Sequence, residues 1–161
     1  MIAIDPELPK VPSEVAERYA RERGVLASRV SSQLAAHPEL ERYLGGNPFR
    51  ILEANHRNHA AFMTEVFRTN NFGMLARTLP WVYHSYHNQG IDFDYFETEL
   101  ALWMEVITKV LGPADAGFIL PIYRWMASVH DQSIEAAAHY RSDDPSPVIP
   151  MDLHEAYEEI L

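Results

Sequence analysis

The chain is predicted to be all-α, on three observations. No segment sustains the period-two alternation of apolar and polar residues that marks a half-buried strand. Apolar residues recur instead at helical spacing, as in Leu75, Leu79, Val82 and Tyr86, which would share one face. Capping and breaking residues divide the chain into pieces of helix length, about seven to eight in all.

Residues 1–12 hold three prolines and read as an extended arm. Ser13 is placed to cap a first helix, which Gly24 is expected to end near Glu22. A second helix would run from Val25 to Ala36 and stop before His37-Pro38, because a residue preceding proline resists helical geometry. Pro38 opens a short helix closed by Gly45-Gly46. Asn47-Pro48 reads as an N-cap and N1 proline, starting a helix that reaches Thr69. Asn70-Asn71 breaks it, and the next helix spans Phe72 to Gln89 before Gly90. Asp94 to Glu97 forms a capping box for a helix ending at Leu111, before Gly112-Pro113. The last long helix is predicted over 114–140, with a kink at Pro121. Three prolines mark residues 142–150 as a linker, and Asp152 to Glu155 is a second capping box for a short terminal helix. The organisation is thus an arm (1–12), one helical domain (13–141) and a Pro-rich linker with a short C-terminal helix (142–161).

Composition narrows the function. With 47% hydrophobic and 11% aromatic residues in 161, the chain can bury a substantial core. A net charge of −10 argues against nucleic-acid binding, which needs a basic surface for phosphates. No cysteine is present, so disulfides, thiolate metal sites and thioether-linked chromophores are excluded. The proline- and acid-bearing N-terminus lacks the apolar core of a signal peptide, and no apolar run suits a membrane span. A cytoplasmic protein without membrane contact is expected. Phosphate-binding glycine loops, nucleophile elbows and zinc-protease motifs are missing from the sequence, so an enzyme is not expected.

The candidate chemistry lies in two neighbouring helices. On the 47–69 helix, steps of 100° place His59 in the middle of the Leu52, Phe62, Met63 and Val66 stripe, with Asn55 and His56 on its edges. A polar group there is costly unless partnered, so His59 is either a bonded core histidine, a ligand contact or a metal ligand. Glu53 and His56 have the Glu-x-x-His spacing of di-iron bundles, but a second such pair is missing, since Glu135 and His139 are one residue too far apart. On the 72–89 helix, Tyr86 faces inward while His84 and His87 face out on the side of Arg77. Tyr83 and His87 belong to a polar, aromatic run fit for a pocket mouth. Trp81, Tyr95, Phe96, Trp103, Tyr123 and Trp125 mostly fall at core spacing, which more often means packing, though their number also suits an aromatic-walled cavity.

The segments His59-Ala-Ala-Phe62, Val66-Phe67, Asn71-Phe72, Gly90-Ile91 and Tyr95-Phe96 resemble the globin-coupled sensors, covering about a third of the chain in motif terms. The resemblance implies a globin-like bundle. Four residues before Gly90, where haem-binding members carry the proximal histidine, this chain has Tyr86. The run LARTLPWVYHSYHNQGIDFDYF also resembles the photoglobins, globin-like domains without that histidine that have been proposed to hold a linear tetrapyrrole as light sensors. This resemblance implies a bilin held by packing and hydrogen bonds.

The leading expectation is therefore a non-enzymatic sensory domain with a chromophore site between the 48–69 and 72–89 helices. His56, His59, Phe62, Met63, Val82, Tyr83, Tyr86, His87, Tyr95 and Trp103 are its candidate contacts, and no metal site is expected. A haem sensor using His84 or His87 is one alternative. A ligand-free interaction or dimerisation module is another. The resemblance further implies a homodimer through the last two long helices, with Trp125, Met126 and Val129 as its surface. At 161 residues the chain is expected to pass its signal to a separate protein.

Overall fold

The computed structural model describes residues 8–140, and within them the chain is all-helical, with seven helices and no strand. They are α1 (Ser13–Ala35), α2 (Leu40–Leu44), α3 (Arg50–Thr69), α4 (Phe72–Asn88), α5 (Asp94–Leu111), α6 (Pro113–Ser128) and α7 (His130–Ala138). The expected linker and terminal helix at 142–161 lie outside the described residues, as does most of the 1–12 arm. Among the described residues no helix is long and apolar enough to cross a membrane.

The largest departure is at Gly24, which does not end a helix. The expected helices to Glu22 and from Val25 are one continuous α1. A Cβ at Gly24 would meet nothing, so the glycine costs only helix propensity, which packing outweighs. The buried face of α1 runs unbroken through it, from Val15, Ala16 and Tyr19 to Leu26, Ala27, Val30 and Leu34. The reverse happens after Pro121. The helix passes through that residue and breaks at Val129, so the expected 114–140 helix is α6 and α7.

Three expected caps also fail. Ser13 lies inside α1, with Pro12 at the cap position. Asp94 is inside α5, and Asp92 Oδ1 accepts its backbone N–H at 2.8 Å. Asn47 caps nothing: its Nδ2 donates to Leu44 O at 2.8 Å and Gln89 O at 2.6 Å, bridging the ends of α2 and α4. Asn71 does cap α4, accepting from Met74 N at 3.0 Å. The end of α4 is a Schellman motif, with Gly90 N bonded to His87 O and Ile91 N to Tyr86 O around a left-handed Gly90 (φ 101°).

Packing is layered. α1 lies along α3 and α5, α5 also packs on α6, and α4 packs on α7. Between α3 and α4 direct contact is sparse. Tyr19 meets Phe67 edge to face at 4.9 Å in the α1–α3 layer. Arg18 donates to the last carbonyls of α5 (Leu111 O, 2.6 Å) and to Asp115 of α6 (2.6 Å), tying three helices at one end. The arm is held at Asn70, whose side chain accepts from Val11 N at 2.8 Å and donates to Val11 O at 3.3 Å.

The expected dimer surface does not exist as such. Trp125, Met126 and Val129 are 7%, 2% and 6% exposed and belong to the chain's own core. The last helices are packed inward by α5 and α4, and the exposed large apolar side chains among the described residues are Val25 and Phe118.

Candidate functional site

A cavity of about 60 Å³ occupies the sparse seam between α3 and α4. α5 and α6 close it. α3 contributes Asn55, Asn58, His59, Phe62 and Met63, and α4 contributes Leu75, Thr78, Leu79, Val82 and Tyr83. Phe96, Glu99 and Leu100 of α5 and Met126 of α6 complete the wall. The helical spacing of the first two sets explains their convergence, since each set is one face of its helix.

Five sequence-predicted residues line this chamber: His59, Phe62, Met63, Val82 and Tyr83. His56, Tyr95 and Trp103 stand behind the wall. Tyr86 is fully buried but lies deeper in the core, edge to face with Phe96 at 6.3 Å. His87 is placed elsewhere: it is exposed, stacks on Phe93 at 3.8 Å and bonds Ile91 O through Nδ1. His84 bonds Ala137 O at 3.2 Å and Asn88 at 3.1 Å. Neither imidazole is part of the chamber wall. Among the described residues no group of three or more metal-binding side chains converges, and Glu53 faces a separate groove.

Behind the wall runs a buried chain of hydrogen bonds. Tyr95 Oη donates to Asn55 Oδ1. A tyrosine has one proton to give, so His56 Nε2–H must donate to Tyr95 (3.0 Å) and His56 Nδ1 must accept from Ser31 (2.7 Å). A second chain links Tyr19, Tyr123 and His59 Nε2, at 2.9 and 2.8 Å. Burial holds both His56 and His59 down at a pKa of about 3, with nearby Arg57 and His56 itself adding to the respective shifts. His59 keeps partial exposure, and as a wall residue it presents that surface to the chamber. Both imidazoles are thus neutral at physiological pH.

Sequence reasoning missed Glu99 and Asn58. Glu99 is 4% exposed and accepts from Trp103 Nε1 at 3.2 Å. Burial pushes its carboxyl up to about 8, with the Trp103 N–H and the nearby Tyr95 hydroxyl restraining the rise. Asn58 is 7% exposed and its Nδ2 has no hydrogen-bond partner. The signal for both was present: each sits at an apolar-face position, Glu99 between Tyr95 and Trp103, and Asn58 between Asn55 and Phe62. The other polar wall groups are satisfied. Thr78 Oγ1 donates to Met74 O at 2.8 Å, and Tyr83 Oη meets His130 Nδ1 at 2.7 Å.

A second, wider groove of about 320 Å³ lies open to solvent between α1 and α3, lined mainly by small residues such as Ala27, Ser28 and Ser32. It lacks a buried polar group in need of a partner among the described residues. Comparison of the chain with protein-family models found no match, and comparisons with curated proteins and with solved structures found none either.

Proposed function

We propose that this chain is a non-enzymatic sensory or regulatory domain that takes an extended conjugated ligand, a linear tetrapyrrole, non-covalently between α3 and α4. One observation carries the reading: an apolar chamber whose wall holds an uncharged buried carboxyl, Glu99, and an amide donor without a partner, Asn58. An unsatisfied buried polar group costs about 1–3 kcal/mol, so stability alone would favour apolar residues at such positions. Ligand recognition accounts for them. The flat walls of Phe62 and Phe96 suit a conjugated system, and a carboxyl can accept pyrrole N–H donors.

At about 60 Å³ the chamber is far smaller than the roughly 300–1,000 Å³ of ligand sites, so α3 and α4 must part to admit the ligand. The sparse contact between those helices makes this seam easier to open than the α1–α3 layer. A ligand that binds the parted arrangement better shifts the population toward it, and that shift is the signal. The test is co-expression with haem oxygenase, followed by an absorption spectrum of the purified protein. A visible band is expected. Protein that stays colourless with several bilins and with haem would remove the reading.

The small volume favours a second reading, a ligand-free interaction module. Its test is light scattering on the purified protein: a stable homodimer with an unchanged spectrum under every ligand supports it. The haem alternative has no such support, because His84 and His87 are both engaged away from the chamber.

A further inference from the structure

We propose that Asn58 and Glu99 together recognise an amide-type edge, a carbonyl adjacent to an N–H, on a planar ligand. The inference rests on the ligand-binding reading above and adds the chemistry that the chamber selects.

The unmet capacity of the wall dictates this class. Asn58 Nδ2 offers a donor and therefore asks for an acceptor such as a carbonyl oxygen. Trp103 occupies Oε1 of Glu99, and the uncharged carboxyl keeps acceptor capacity beyond that one bond, so it can still take a ligand N–H. Asn55, Thr78 and Tyr83 already have partners, as does His59 Nε2, so they contribute shape more than selectivity. Asn58 and Glu99 line the same chamber of about 60 Å³, one from α3 and the other from α5, so a group entering it meets both residues. Without ligand that space has room for a few waters, which such an edge would displace while reproducing their hydrogen bonds. The remaining wall is apolar (Phe62, Met63, Leu79, Val82, Phe96 and Leu100) and fits the faces of a ring. A lactam ring satisfies all of these demands, whether free or as the end ring of a longer conjugated chain.

Met63 and Met126 supply the readout, because both line the chamber. The full chain, labelled with ¹³C at its methionine methyl groups, is titrated with 2-pyridone and with N-methyl-2-pyridone, which lacks the N–H. Biliverdin is titrated separately and followed by absorption. The expected result is a saturable shift of the Met63 and Met126 signals with 2-pyridone and at least about tenfold weaker binding of the methylated compound, the loss of one buried hydrogen bond. Asn58→Leu and Glu99→Leu should each weaken 2-pyridone by about tenfold, with Asn58→Ala as a gentler check and thermal unfolding to show that each variant is folded. Equal binding of the two pyridones, or undiminished binding in the folded variants, overturns the proposal. So does a lack of any shift in the parent protein, which would mean a chamber for water alone. Biliverdin binding that ignores Asn58 and Glu99 would overturn this inference and leave the tetrapyrrole reading standing. N–H-dependent pyridone binding without biliverdin binding would do the opposite.

Discussion

Two regions that share α4 are built on opposite terms. At its C-terminal end, the turn into α5 is locked against α2. A Cβ at Gly45 would lie 1.9 Å from Gly90 O, Asn47 bridges both helix ends, and Asp92 N bonds Tyr43 O at 3.1 Å. Arg42 adds ion pairs to Asp92 and Asp94 at 3.2 and 3.0 Å. Along its middle, the same helix faces a chamber with a free amide donor, an uncharged acid and few contacts to α3. One end of the helix is optimised for stability, and its middle is not. Polar groups that a core does not need collect where a ligand would use them.

The sharpest way to break the comparison is Gly45→Ala. The residue has φ +55° and would drive a methyl into the Gly90 backbone, so a loss on the order of 3 kcal/mol is expected in chemical denaturation. A loss under about 1 kcal/mol would show that the corner is not rigid.

Stability against pH comes next. Below the usual 6.5, unfolded chain takes up protons that His56 and His59 refuse until about 3, so stability falls as pH falls. Glu99 acts oppositely: unfolded chain releases its proton near 4.5 and the folded protein near 8, so stability falls as pH rises between them. Each group contributes about 1.4 kcal/mol per pH unit within its window. Two histidines outweigh one acid below pH 6.5, and the acid acts alone above it. These three groups place the stability maximum near pH 6.5. Glu99→Gln should remove the alkaline decline and stabilise the protein at pH 7 by on the order of 2 kcal/mol. An unchanged midpoint across pH 5–8 would contradict the assigned burial of all three.

Asn58→Leu should raise stability by about 1 kcal/mol, since it deletes an unsatisfied donor and fills apolar space. Destabilisation would reveal a partner for Asn58 in solution. The smallest effect belongs to Arg42→Ala, a slight drop in melting temperature that high salt abolishes, because its ion pairs are solvent-exposed.

The helices of the middle of the chain were legible because local chemistry decides them. Asn70 adopts the left-handed conformation that ends α3, and Gly45 does the same for α2. The boundaries at Gly24 and Val129 were not legible, because a glycine in an exposed helix position yields to packing, and nothing in the local sequence marks Val129 as a break. Of the ten candidate contacts, His59, Phe62, Met63, Val82 and Tyr83 line the chamber, because helical spacing places them on one face of α3 or α4. Glu99 was not singled out, although its position on the Tyr95, Phe96 and Trp103 face fixes it inside. The Gly90-Ile91 pair that carries part of the sensor-globin resemblance is also what any Schellman ending requires, with a left-handed glycine followed by a buried apolar residue.

The grip of Asn70 on Val11 has a mechanical corollary. Asn70 is the pivot between the two helices flanking the chamber, and both of its amide atoms are fastened to the same backbone unit of the leading strand of chain. Swinging α4 away from α3 about that pivot must therefore drag residues 8–12 along or tear two bonds. Any movement of α4 against α3 would thus be geared to residues 8–12.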